Sequence, residues 1–298
     1  MDLTSVVQQM RLDELALEAS SCLQLAGVPH VLLKGPTTAR WLYSPPRPYV
    51  DVDLLLPLTA VPSAVHVLEA AGIASASAGR VGETASHSLL MHTPGGLELD
   101  LHVTLPMLPP AYGGQDRDRV WLVLADHHEP FLLEGRPVPA LDAPGRCLVL
   151  ALHALGNGFR GAQSLEDLRR SRTLADRDTW SAAEDLAARL GVLPLLQAGI
   201  TLVEPGPLPA GLPPDVRMRL EGHGAYIFQL ERLANAPRRE LPRLVLRELC
   251  PSPGFMRHDD PARTQTSTAL LLAYLRRWRT LSGELPGAWR RWRQLRRL

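Results

Sequence analysis

Arg47–Pro57 reads RPYVDVDLLLP, and the DVDLL at its centre decides how the rest of the chain is read. Asp51 and Asp53 stand one residue apart inside an apolar run. A strand has a side-chain period of two, so Val52, Leu54 and Leu56 share one face, and Asp51, Asp53 and Leu55 share the other. Two adjacent carboxylates repel each other unless a proton or a cation separates them, and burying either without a partner is costly. Hard cations such as Mg²⁺ take oxygen ligands, often one or two carboxylates together with substrate phosphates. Residues 97–103, LELDLHV, alternate in the same way and put a third acid, Asp100, on a polar face with Glu98 and His102. Asp100 on an adjacent strand would complete a three-carboxylate site.

Upstream, Val28–Leu33 reads as a short buried strand and Lys34-Gly35-Pro36 as a turn. Pro36 suits the first position of a helix running through Ala39 and Leu42 to Tyr43, and Ser44-Pro45-Pro46 ends it. Gly35 lets the backbone approach a phosphate closely. The helix start beyond it offers amide donors, with the hydroxyls of Thr37 and Thr38 nearby. Lys34 is the only lysine of the chain; every other basic side chain is arginine.

Further along, helical spacing is expected over Leu12–Leu23 and Val61–Leu68, a strand over Ser86–His92, and a turn at Thr93–Gly96. The chain reads as mixed α/β up to residue 141 and as mostly helical from 142. The clearest helical stretches there are Cys147–Leu155, Ser164–Leu174, Thr179–Leu190, Arg217–Ala234 and Thr268–Trp278. Glu204–Pro214, rich in Pro and Gly, reads as a linker. The expected fold is α+β: a small mixed sheet flanked by helices over residues 1–141, then a helical domain over 142–298 with a basic tail.

The chain has 298 residues, 45% hydrophobic and 21% charged, which is ordinary for a globular protein with a sizeable core. Its net charge is only +1, but residues 1–100 hold ten acids against five bases, whereas 276–298 hold eight arginines against Glu284. Cys22, Cys147 and Cys250 are widely spaced and form no CxxC, which fits a reducing cytoplasm. No N-terminal leader pattern and no membrane-spanning apolar run appears. Without an HExxH motif or paired metal-spaced histidines, zinc is disfavoured. Without GxxxxGK[ST] or GxGxxG, a P-loop or dinucleotide fold is not supported.

The order strand, Gly turn, helix, Asp-x-Asp strand and later single-Asp strand resembles the polymerase-β-like nucleotidyltransferase superfamily. More narrowly it resembles a bacterial family of uncharacterised nucleotidyltransferases. The matching residues are Leu33-Lys34-Gly35, Tyr43, Arg47, Asp51-Val52-Asp53-Leu54-Leu55-Leu56 and Asp100-Leu101-His102. Weaker likeness continues in Leu152-His153-Ala154, around Asp167, and over Pro251–Arg257. The chain departs from the family pattern at Val103, where tryptophan is usual, and in its long Gly35–Asp51 gap.

The resemblance implies transfer of a nucleoside monophosphate from an NTP to an acceptor hydroxyl, with release of pyrophosphate. It implies that Asp51 and Asp53 hold two Mg²⁺ or Mn²⁺ ions, and that Asp100 binds the second and helps deprotonate the acceptor. It places Gly35 and Thr37 on the outer phosphates, Lys34 and Arg47 as further phosphate contacts, and His102 behind Asp100. A small molecule, a peptide of natural-product biosynthesis, a protein or tRNA are the acceptor classes it suggests; nucleic acid is not favoured. The alternative is a non-catalytic nucleotide- or peptide-binding protein that keeps the fold.

Some residues carry plain structural readings too. Arg47 fits a structural ion pair as well as a phosphate contact. His153, on an apolar helix, reads as a core histidine. Asp167 reads as a cap or as a partner for Arg169, Arg170 or Arg172. The tail's Trp278, Trp289 and Trp292 read as a packing stripe with wet arginines around it, rather than a grip on RNA or an anionic membrane.

Overall fold

The structure, a computed structural model, describes residues 3–76, 88–105, 117–158 and 161–213. Of the remainder it describes 216–217, 220, 226, 229–230, 233–234, 236, 238–239, 241–251, 253, 256 and 266–295. Two compact units result, Met1–Ala210 and Gly211–Leu298.

The first unit is built on a seven-stranded mixed sheet. Its strands are β1 (Val31–Leu32), β2 (Asp51–Leu55), β3 (Ser75–Ala76), β4 (Ser88–His92), β5 (Glu98–His102), β6 (His128–Leu133) and β7 (Arg136–Leu141). Their spatial order is β3-β4-β5-β2-β1-β7-β6. β2 lies between β1, antiparallel to it, and β5, parallel to it. The β2–β5 register sets Asp53 opposite Asp100 and Asp51 opposite Glu98. The expected strand Ser86–His92 is seen from Ser88; Ser86 and His87 lie outside the described residues.

Helices α1 (Leu3–Leu25) and α3 (Val61–Ala70) pack together, and α1 also meets β2 and β7. Leu12, Leu15, Ala16, Ala19 and Leu23 of α1 form one core with Val52, Leu54, Leu56, Leu99 and Leu101. Each leucine so buried contributes about 1.5–3 kcal/mol relative to exposure. Helix α2 (Pro36–Leu42) follows the Gly35 turn with proline in its first turn, and α4 (Arg117–Leu124) precedes β6.

β7 ends at Leu141, and α5 (Ala143–Asn157) begins after Asp142. The Asp142 side chain caps α5 by accepting from the Gly145 amide at 2.8 Å. Around α5 pack α6 (Ala162–Leu174), α7 (Arg177–Leu190) and α8 (Leu193–Thr201), all within the first compact unit. Gly199 of α8 crosses α5 so closely that a Cβ there would stand 2.4 Å from the Ala151 carbonyl oxygen.

In the second unit, helices Leu241–Leu249 and Ser267–Leu295 are the longest described. The expected helix Arg217–Ala234 and the Pro251–Arg257 segment lie largely outside the described residues. Trp292 is buried against Leu230 and Ala288 and stacks near Trp289, with ring centroids 4.9 Å apart. Trp278 and Trp289 stay 45% exposed, so only part of the tryptophan stripe packs. No described helix is long and apolar enough to cross a membrane.

Candidate active site

The centre of the sheet gathers the residues singled out in the sequence. The Leu33 amide donates to the Asp53 carbonyl at 2.9 Å, which lays the Lys34-Gly35 turn along the start of β2. Gly35 has φ +75°, and a Cβ there would stand 2.9 Å from the Asp51 carbonyl oxygen and 3.5 Å from the Tyr49 ring. Only glycine takes this turn without strain. The side chain of Lys34 then folds onto the acids: Nζ is 2.9 Å from Asp53 Oδ2 and 3.6 Å from Asp51 Oδ2.

His102, at the end of β5, enters the same cluster from the other side. Its Nε2 is 2.8 Å from Asp53 Oδ1 and 3.3 Å from Asp100 Oδ2. Ser88, opposite His102 on β4, donates to Asp100 Oδ2 at 3.0 Å. Asp53 and His102 are almost wholly buried, whereas the Asp51 and Asp100 side chains keep 31% and 21% of their exposure.

The electrostatics follow from this packing. Burial opposes the charge of Asp53, but the Lys34 ammonium and the His102 imidazole outweigh it and hold the carboxyl below the usual range. Burial also opposes charge on His102, yet its hydrogen bonds to Asp100 and Asp53 raise it to about 9. Asp51 is pushed upward by burial and by the Asp53 charge. Asp100 is lowered despite its burial by the hydrogen bond from His102. The cluster thus sets three carboxyl groups beside one ammonium and one imidazole.

Ligand atoms of Asp53, Asp100 and His102 lie within 4.8 Å of one another, close enough to surround one ion. Asp100 Oδ1 is buried and has no hydrogen-bond partner among the described residues. A carboxylate oxygen in that state suits a cation. Thr37 Oγ1 is likewise buried without a partner among the described residues, and Thr38 is buried beside it.

Arg47 points elsewhere. Its Nε and Nη2 grip Asp167 of α6 at 2.9 and 2.5 Å, and Nη1 donates to the Pro48 carbonyl. Tyr43 Oη and Gln163 Nε2 complete the shell of the same carboxylate at 2.6 and 2.9 Å. Asp167 thus pairs with Arg47 rather than with the arginines of its own helix.

His153 is the residue whose place the sequence concealed. It is half-buried on α5 and lies within electrostatic reach of Lys34, Asp53, Asp167 and Arg47. Burial, and then the Lys34 charge, lower it to about 4. Asn157 Nδ2 lies 3.1 Å from His153 Nε2, within hydrogen-bond distance. The weak Leu152-His153-Ala154 likeness to the family was the one signal in the sequence for this position.

Residues 3–205 match the family described as uncharacterised nucleotidyltransferase. The chain belongs to that family. The match runs through every strand of the sheet and all four helices α5–α8. No curated protein matches the chain. Among solved structures, the antibiotic-resistance factor ANT(2'')-Ia is similar at 15% identity, covering 62% of this chain and 96% of its own, with a TM-score of 0.43. The lincosamide antibiotic adenylyltransferase LnuA, solved with lincomycin bound, is 13% identical over 54% of this chain and 97% of its own, with a TM-score of 0.38. An antigenic nucleotidyltransferase-like protein from Paracoccidioides brasiliensis is 14% identical over 64% of this chain and 92% of its own, with a TM-score of 0.37.

Proposed function

We propose that this nucleotidyltransferase is a divalent-metal-dependent enzyme that moves a nucleoside monophosphate from an NTP to an acceptor hydroxyl. The observation that carries the reading is the register of β2 and β5, which sets Asp53 against Asp100 with Asp51 one strand period away. Mg²⁺ or Mn²⁺ bound there would lower the energy of the attacking and leaving oxygens. Asp51, Asp53 and Asp100 are the residues that would hold it. In the reaction the acceptor oxygen bonds to the α-phosphorus, and the bond from that phosphorus to the oxygen bridging to the β-phosphate breaks. Pyrophosphate leaves with that oxygen.

Asp100, the partly exposed acid of β5, would take the acceptor proton. His102 orients Asp100 and Asp53 through one nitrogen. The Gly35 turn brings the backbone to the outer phosphates, Thr37 offers its buried hydroxyl, and Lys34 supplies a point charge. Thr38 is a further hydroxyl on that side. Arg47 steadies the entry to β2 through Asp167. The acceptor is a small molecule, peptide, protein or tRNA hydroxyl, and free Cys22, Cys147 and Cys250 support work in a reducing cytoplasm.

The test is thermal stabilisation by each of the four NTPs, with and without Mg²⁺ or Mn²⁺. It compares the wild-type chain with an Asp51→Asn/Asp53→Asn variant. A ligand at about 100 times its Kd adds roughly 2.7 kcal/mol, which is readily seen. The expected result is metal-dependent stabilisation by at least one NTP, lost in the variant. Pyrophosphate release on adding candidate acceptors then identifies the second substrate. Stabilisation that persists in the variant would sink the reading.

A further inference from the structure

We infer that Lys34 is a built-in counter-cation of the Asp51–Asp53 pair, which the triphosphate must draw away before those carboxylates take a metal, so that nucleotide and metal bind as a coupled pair. The inference rests on the nucleotidyltransferase reading and adds a regulatory role to a residue that reading treats only as a phosphate contact.

Each oxygen of Asp53 already has a cationic partner. Oδ1 meets His102 Nε2 at 2.8 Å, and Oδ2 meets Lys34 Nζ at 2.9 Å. A metal ion bonded to Asp53 at about 2.0–2.1 Å competes with one of them. His102 is fixed: its side chain is 2% exposed and it also binds Asp100. Lys34 is the partner built to move. Its side chain is 18% exposed, and its ammonium ends a flexible four-carbon stem and is shared unequally between Asp53 and the more open Asp51, 3.6 Å away.

The backbone beneath Lys34 is held in place, because Gly35 is wedged against the Asp51 carbonyl and the Tyr49 ring. Tyr49 is itself hydrogen-bonded to buried Asp13. The main chain thus stays while the side chain swings. A polyphosphate entering at the Gly35 turn lies one residue from Lys34 and offers it a denser negative charge than two carboxylates. Once Nζ turns to the phosphates, Asp53 Oδ2 and Asp51 Oδ2 are released. Linkage makes the effect mutual: whatever factor the nucleotide adds to metal affinity, the metal adds to nucleotide affinity.

Lys34 is the sole lysine, so lysine-selective ¹³Cε labelling gives one side-chain signal for the whole chain. In the wild-type protein that signal is expected to stay put on titration with Mg²⁺ alone. It should shift when Mg²⁺ is added together with whichever NTP stabilises the protein. The companion measurement is Mn²⁺ binding without nucleotide, read by the paramagnetic resonance of free Mn²⁺. Lys34→Met should bind Mn²⁺ at least about fivefold tighter than wild type, the low end of ordinary coupling factors. Asp53→Asn should bind it more weakly. A lysine signal that moves with Mg²⁺ alone, or Mn²⁺ affinity equal or lower in Lys34→Met, overturns the coupling and leaves the transferase reading intact. If neither Mn²⁺ nor any NTP binds the wild-type chain, the transferase reading falls and the coupling falls with it.

Discussion

Asp53 and Asp100 stand opposite each other on parallel neighbouring strands, and a single nitrogen, His102 Nε2, reaches both. The two acids nevertheless differ in surroundings. Asp53 is almost wholly buried between two cationic groups, whereas Asp100 keeps a fifth of its side-chain exposure.

That difference predicts different costs for the same substitution. Asp53→Asn leaves Lys34 and His102 without their shared carboxylate and should lose about 3 kcal/mol of folding stability. Asp100→Asn should lose about 1 kcal/mol, the scale of one partly exposed hydrogen-bonding group. Both should abolish metal-dependent stabilisation by NTP. Urea unfolding curves check the first statement, and thermal shifts with Mn²⁺ and NTP the second. Equal stability losses would count against the charge arrangement described.

The Gly35 turn gives a steric prediction. Gly35→Ala must accommodate a Cβ 2.9 Å from the Asp51 carbonyl oxygen at φ +75°. The cost should be about 1–3 kcal/mol. Because the displaced atom belongs to Asp51, NTP binding should weaken as well. A variant with wild-type stability and wild-type NTP affinity would show that the turn relaxes freely.

The Arg47–Asp167 pair predicts an asymmetric cycle. Asp167→Ala strands the guanidinium of Arg47, whose side chain is 17% exposed, together with Tyr43 Oη and Gln163 Nε2, and should cost about 3 kcal/mol. Adding Arg47→Met to that variant should recover part of the loss, since no stranded charge remains. A double-mutant cycle by urea unfolding measures the coupling. Strictly additive losses would mean that the pair contributes nothing as a pair.

His153 predicts a pH effect with a definite sign. Its folded pKa, about 4, lies below the unfolded value near 6.5, so the unfolded chain takes up the proton first as pH falls. Its contribution to stability is intact above about pH 6.5 and declines as pH drops toward 4. His153→Gln should remove that part of the acid sensitivity and leave the neutral-pH stability close to wild type. Urea midpoints at pH 7 and pH 5 for both proteins give the comparison. An unchanged difference between the two pH values would rule His153 out as its source.

The sequence made the carboxylates legible because strand period fixes which side chains share a face. Asp51 and Asp53 needed no long-range information, and Lys34-Gly35-Pro36 announced its own turn. Helices α2, α6 and α7 begin and end within two residues of their expected bounds. What sequence spacing cannot carry is pairing between distant segments. The parallel register of β2 with β5 depends on the whole sheet order, and β7, last of the strands in sequence, inserts between β1 and the edge strand β6. Asp167 looked satisfied by arginines two to five residues away, but its partner lies 120 residues earlier. His153 sits among leucines in sequence and near charges in space.

The span of that last ion pair has a consequence for how the protein is made. A ribosome adding about 5–20 residues per second places Asp167 some 6–24 s after Arg47 has been synthesised. Throughout that interval the nascent chain holds the DxD strand without the helix that anchors its entry, and until Leu141 is made it also holds β1 without β7 at its flank. The carboxylate cluster is complete in sequence by His102, but the tether of its entry waits for Asp167, so a chain interrupted before α6 carries every acid of the cluster with Arg47 still unpartnered by Asp167.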